Sequence, residues 1–253
     1  MTISTAIGTA PARTPREPAR NEILSRLRCF AKFAAKSRSR STDLFTISDR
    51  RSEARIYECI LDAISDDAVI DVEAAADEPS LLNRIADGEA AVFGDPLDGT
   101  WNFVKGLPLF GSKPSVAELG QSMFGVPCEL PMDDSISAHL SRCSEFLAAD
   151  GRMTLAQTGK QVAIYCMAGL FPPFLFTDAE RRKLAWKFRV FDRALSHGHS
   201  IREFRLPAEC DVDFFPTGRL TLWDNAAGKF VYREAGGRSA ILAEGSENRP
   251  AFS

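Results

Sequence analysis

The chain has 253 residues, 45% of them apolar, which is enough for one large or two small packed units and excludes disorder throughout. Acidic residues number 34 against 31 basic ones, and a net charge of -3 provides no field to gather nucleic acid or an anionic membrane. An anionic ligand must then be met by a local site.

In chain order, residues 1–20 are rich in Pro, Ala, Thr and Arg without an apolar period and read as a mobile tail. From Asn21 the residues Ile23, Leu24, Leu27, Phe30, Ala31 and Ala34 recur at helical spacing and predict a first amphipathic helix. The basic run Lys36, Arg38 and Arg40 reads as a solvated loop leading to Asp49, and Ala54, Tyr57, Ile60, Leu61 and Ile64 mark a second helix. Short apolar runs at 68–72 and 90–93 predict buried strands with carboxylates at their ends, and further strands are expected at 122–126 and 161–167. A helix is expected over 178–188, with Asp178 as its cap. The apolar stretch 162–176 is interrupted by Gly169, Pro172 and Pro173 and is too short to span a membrane, and the N-terminus lacks the apolar core of a signal peptide. A cytoplasmic protein is the expectation. The six cysteines, Cys29, Cys59, Cys128, Cys143, Cys166 and Cys210, form no CxxC pair and read as reduced and mostly buried.

Two segments carry chemistry. In GDPLDGTWNF, Asp95 and Asp98 stand three residues apart around Pro96. Carboxylates that close repel unless a cation compensates, which suits a hard divalent ion, and the Leu97 carbonyl would point the same way. Gly99 and Thr100 follow at a helix start, where free N–H groups suit a phosphate. The same residues read equally well as a simple turn, since Asp, Pro and Gly are turn formers. In WDNAAGKFVYREAGG, Asp224 stands just ahead of a helix that ends at a glycine pair, and could be no more than its cap.

Together GDPLDGTWNFVKGLP and WDNAAGKFVYREAGG resemble the two signature motifs of the inositol monophosphatase family, with Asp95 and Asp224 separated by 129 positions. STDLFTISD, ending at Asp49, resembles the family segment that supplies a catalytic aspartate. The resemblance implies an α+β fold layered as α-β-α-β-α, with 21–130 an N-terminal α+β half holding the metal site and 131–253 a C-terminal α/β half whose last layer is shortened. It implies Mg2+-dependent hydrolysis of a small polyol or sugar phosphate, with Asp95, the Leu97 carbonyl, Asp98 and Asp224 as metal ligands. Thr100, backed by Asp49, would orient and deprotonate the attacking water, and the N–H groups of Gly99 and Thr100 would hold phosphate oxygens. The wider superfamily includes phosphatases for sugar bisphosphates, nucleotide bisphosphates and histidinol phosphate, which these motifs do not separate.

The chain departs from the family pattern in three places. The family's Gly-Glu-Glu is replaced by Asp71-Val72-Glu73, so valine stands at a ligand position and Glu73 is expected to supply the ligand instead, with Asp71 as the other candidate. Thr217 takes the place of an acidic residue that contacts substrate hydroxyls, and His197, His199 and Ser200 fall where the family places a loop near the substrate. A short C-terminal layer predicts an uncovered face that a homodimer would bury. The competing expectation is a catalytically silent relative that binds a phosphorylated ligand or a partner.

Overall fold

The computed structural model describes residues 16–25, 33–37, 40–46, 70–71, 91–95, 97–119, 121–158, 168–170, 176–187, 192–209, 211–217 and 222–240. Helix α1 (Arg16–Leu24) begins inside the stretch read as a tail. Pro18 is tolerated there because first-turn N–H groups have no intrahelical acceptor. The helical period read through Ala34 does not continue that far. β1 (Phe33–Ser37) and β2 (Arg40–Thr46) form an antiparallel pair, with Ala34 opposite Phe45, so Lys36 and Arg40 lie on strands rather than in a loop. Cross-strand pairing overrides the local period here. The helix expected around Ala54 to Ile64 lies outside the described residues.

β3 (Ile70–Asp71) and β4 (Ala91–Phe93) lie where two strands are expected, and they pair in parallel at one edge of the sheet. α2 (Thr100–Val104) follows, then β5 (Gly111–Ser112), β6 (Ser115–Glu118), β7 (Gln121–Gly125), β8 (Cys128–Glu129), β9 (Asp134–His139), β10 (Ser144–Leu147) and β11 (Met153–Ala156). Among the described residues these nine strands, β3 to β11, make one mixed sheet ordered β11-β10-β9-β7-β6-β4-β3, with β5 and β8 joined to its side. The strand expected at 161–167 lies outside the described residues; β12 (Ala168–Leu170) pairs in parallel with β13 (Arg193–Leu195).

α3 (Asp178–Lys187) matches its expected span, but its cap is Thr177. Thr177 Oγ1 accepts from Glu180 N–H at 3.3 Å while Thr177 N–H donates to Glu180 Oε2 at 2.7 Å, a reciprocal capping box. Asp178 sits one position inside and pairs with Arg181 instead. α4 (Ser200–Ala208) and α5 (Leu222–Glu234) complete the fold. Asp224 is therefore in the first turn of α5, not ahead of it. α5 ends as its glycine pair requires: Gly236 N–H donates to the Arg233 carbonyl and Gly237 N–H to that of Tyr232.

One core joins Ile23 of α1 to Val92, Leu97, Phe103, Phe110, Val116, Phe124 and Leu130. A second joins Ile136, Ala138 and Ala156 to Phe230 and Val231 of α5. α5 packs on β4, β7, β9 and β10, and α4 packs on α5, so helices layer over the sheet. Of the cysteines described, Cys128 is buried and Cys143 is exposed, which corrects the expectation of general burial for that residue. Among the described residues no helix is long and apolar enough to cross a membrane.

Candidate functional site

The site starts from a short backbone pairing. Asp98 N–H donates to the Gly111 carbonyl at 2.9 Å and Gly111 N–H returns to Asp98 O at 3.0 Å, while Lys113 N–H donates to Asp95 O at 3.2 Å. Segment 95–98, leaving β4, is thus laid antiparallel to 111–113. Asp95 and Asp98 are buried at 9% and 7% exposure, and Lys113 at 1%.

The carboxylates divide their oxygens. Asp95 Oδ1 accepts from Leu97 N–H at 3.1 Å, and Asp98 Oδ2 accepts from Ile201 N–H at 2.8 Å and Ser200 Oγ at 3.2 Å. The remaining oxygens, Asp95 Oδ2 and Asp98 Oδ1, face Lys113 Nζ at 3.9 Å and 3.4 Å. Lys113 Nζ also donates to Ser200 Oγ at 2.5 Å. Burial by itself would push the Asp98 carboxyl up; Lys113, then His199 where protonated, then Ile201 N–H and the Ser200 hydroxyl outweigh it and hold the group below the ordinary carboxylate value. His199 is itself pushed down to about 4 by burial, against the pull of Asp98. It is neutral at pH 7, so that among the described residues Lys113 is the cation facing the pair.

Gly99 stands at the N-cap of α2 with φ 85°, and a Cβ there would meet the Leu109 carbonyl at 2.7 Å and His199 Cβ at 2.9 Å. Only glycine fits both the left-handed backbone and the space. Thr100 Oγ1 donates to the Leu97 carbonyl at 2.8 Å, so Thr100 and the expected ligand carbonyl are in contact. Buried Asn102 donates to the carbonyls of Leu109 and His197, each at 2.8 Å, and so ties the 197–199 turn to the site. β2, which ends three residues before Asp49, packs on α2.

His199 and Ser200 thus belong to the site's wall, and Asn102 fixes the turn that carries His197. Thr217 is half-buried on the segment after Phe214, which bridges to Gly169 of β12. Asp49, Val72 and Glu73 lie outside the described residues, as do the side chains of Asp71 and Asp224. Among the described residues no group of three or more His, Cys, Asp or Glu is arranged to hold a metal. Asp95, Asp98 and the Leu97 carbonyl nonetheless fit a hard cation in kind: all are oxygen donors, and two carboxylate oxygens turn toward one positive charge.

Sequence reasoning missed Lys113 and Glu203. A lysine inside the otherwise small and apolar run Phe110–Val116 was the available signal. Glu203, 1% exposed on α4, has Oε1 without a hydrogen-bond partner among the described residues, and burial together with the charge of Asp98 pushes its pKa up to about 8. Across the helix, Arg202 and Arg205 both engage Glu129, and Arg205 also holds Asp134 at 2.8 Å, locking α4 to β8 and β9.

The two buried groups give opposite pH dependence. Glu203, raised from 4.5, keeps a proton in the folded state, so its share of stability falls as pH rises from 4.5 to 8; His199, lowered from 6.5, loses stability as pH falls from 6.5 to 4. Between 4.5 and 6.5 the slopes oppose each other. In metal-free protein, Glu203→Gln should remove the opposing slope, so that urea unfolding shows stability rising with pH more steeply than in wild type, by up to about 1.4 kcal/mol per pH unit. Parallel profiles would refute it.

The profile of the inositol monophosphatase family matches residues 17–249. The chain belongs to that family. It is 26% identical over 196 residues to the fructose-1,6-bisphosphatase/inositol-1-monophosphatase of Thermotoga maritima, covering 77% of this chain and 70% of that one. It is 27% identical over 205 residues to the Nus factor SuhB of Pasteurella multocida, covering 78% and 71%. The crystal structure of the extragenic suppressor protein SuhB from Bartonella henselae superposes with a TM-score of 0.70 at 20% identity, covering 92% of this chain and 85% of that chain. The α+β layered fold of the inositol monophosphatase family is thereby shown for this member, and membership supports metal-dependent, phosphatase-type chemistry.

Proposed function

We propose that this family member is a Mg2+-dependent phosphomonoesterase acting on a small polyol or sugar phosphate of the inositol monophosphate type. The observation that carries the reading is the pair of buried carboxylates, Asp95 and Asp98, set with one oxygen each toward a common cation position beside the start of α2. The name of the Thermotoga relative, which joins a sugar bisphosphate and an inositol monophosphate, supports that substrate class.

In this reading Asp95, the Leu97 carbonyl and Asp98, together with Glu73 and Asp224, would hold Mg2+, which supplies positive charge to the phosphate and acidity to a nearby water. Gly99 and Thr100 present first-turn N–H groups to the non-bridging oxygens. The Thr100 hydroxyl, backed by Asp49, orients the attacking water in line with the leaving oxygen. Asn102 keeps the 197–199 turn in place, closing the wall on that side. Thr217 faces the substrate's hydroxyl end. The 21–130 half carries the cation site, and the 131–253 half adds Asp224 and the substrate contacts.

A second reading is favoured by Lys113: a silent relative that binds a phosphorylated ligand or a partner without turnover, its cation position met by a side chain. A panel of inositol monophosphate, histidinol phosphate and a sugar bisphosphate at millimolar Mg2+ separates the two. Release of phosphate from one of them is expected; folded protein that releases none from any would favour the silent relative.

A further inference from the structure

We propose that Lys113 is a built-in cation for the Asp95–Asp98 pair, so that a divalent ion enters the position only by displacing its ammonium. The proposal rests on reading that pair as a metal site.

The lysine is not a surface residue that happens to lean inward. Its side chain is 1% exposed, and its backbone N–H is bonded to Asp95 O, so the stem starts beside the carboxylates. Nζ lies 3.9 Å from Asp95 Oδ2 and 3.4 Å from Asp98 Oδ1, the two oxygens not taken by Leu97, Ile201 and Ser200. Ser200 Oγ accepts from Nζ and donates to Asp98 Oδ2, closing a ring of contacts around the ammonium.

Two buried carboxylates need compensating positive charge, and the Lys113 ammonium supplies part of it. A second cation in the same space would be repelled by the first at close range and low dielectric. Lysine also cannot replace what an ion offers: it has three donors and no open position for a water or a phosphate oxygen. The chain therefore takes up divalent ions more weakly than its carboxylates alone would permit. Val72, at a position where the family carries a ligand, is consistent with a site that leans less on metal.

Mn2+ binding to the full chain, followed by electron paramagnetic resonance, tests this without reference to turnover. Lys113→Gln should bind Mn2+ at least about tenfold more tightly than wild type. Lys113→Arg, which keeps the charge, should bind as weakly as wild type, and adding Asp98→Asn to Lys113→Gln should abolish the gain. If Lys113→Gln does not fold, Lys113→Ser is read in the same way, and a larger rise in melting temperature on adding Mn2+ than wild type shows supports the proposal. Equal Mn2+ affinity in wild type, Lys113→Gln and Lys113→Ser overturns it. Because phosphate release is not the readout, tighter binding without turnover would sink the phosphatase reading alone, and turnover with unchanged binding would sink the lysine proposal alone.

Discussion

Asp98→Asn should both unfold more easily and lose turnover. The carboxylate is buried, accepts from Ile201 N–H at 2.8 Å and Ser200 Oγ at 3.2 Å, and faces Lys113 at 3.4 Å. Asparagine keeps the shape but presents an NH2 group where only acceptors are wanted, and removes the carboxylate that lies 3.4 Å from the buried Lys113 ammonium. Removing one partner of a buried ion pair costs about 3–5 kcal/mol, so a loss of about 3 kcal/mol in urea unfolding at pH 7 is expected. The group's pKa is lowered in the folded state, so its stabilisation is complete above the ordinary value of 3.8 and disappears as pH falls below it. The deficit of the variant should therefore be constant near neutrality and shrink only in acid. In the proposed phosphatase, kcat/KM should fall by at least roughly a hundredfold, since one of the charged oxygen donors that would hold Mg2+ is lost. A variant as stable as wild type would show that the contacts around Asp98 are not holding the 95–98 and 200–201 segments together.

Gly111→Ala should be the most damaging single methyl in the site. A Cβ at Gly111 would lie 2.0 Å from the Cys128 carbonyl and 2.6 Å from Ile201 Cδ1. The isoleucine could turn aside, but the carbonyl belongs to the β5–β8 pairing, where Ser112 stands opposite Cys128 and Gly111 opposite Glu129. Relieving the clash means separating those strands, which also releases the Asp98–Gly111 backbone bonds and, through them, both carboxylates. A cost of about 3 kcal/mol or more follows, at the upper end for an overpacked position. Gly94→Ala is the useful contrast, because its Cβ would meet Lys113 O and Pro114 Cα at 3.1 Å, a contact that a shift of a few tenths of an ångström relieves. Equal denaturation midpoints for the two variants would contradict the argument.

The parts of this fold that were legible in the sequence are those set by neighbours along the chain. The apolar runs before Asp71 and Asp95 became β3 and β4, the helix at 178–187 kept its span, and the glycine pair closed α5. Gly99 and Thr100 open a helix as their motif suggested. Long-range pairing was not legible. The β1–β2 pair overrode a helical period that ran through Ala34, because Phe33 to Ala35 meet Leu44 to Thr46 across the sheet. Lys113 reaches the carboxylates only because 111–113 folds back on 95–98, and Arg202 meets Glu129 from 73 positions away. Those contacts follow from register, which residue spacing does not encode. The motif aspartates were visible individually, whereas the lysine between them was not.

The most direct test of the central claim is phosphate release from inositol monophosphate by wild type and Asp95→Asn, each measured with millimolar Mg2+ and with the metal chelated. The proposed phosphatase predicts turnover in wild type that vanishes with chelation and is absent from Asp95→Asn at equal folded concentration. Turnover that survives both chelation and the substitution would contradict the assignment of the Asp95–Asp98 pair as the centre of the chemistry, and no turnover from folded wild type would leave the silent, ligand-binding relative in its place.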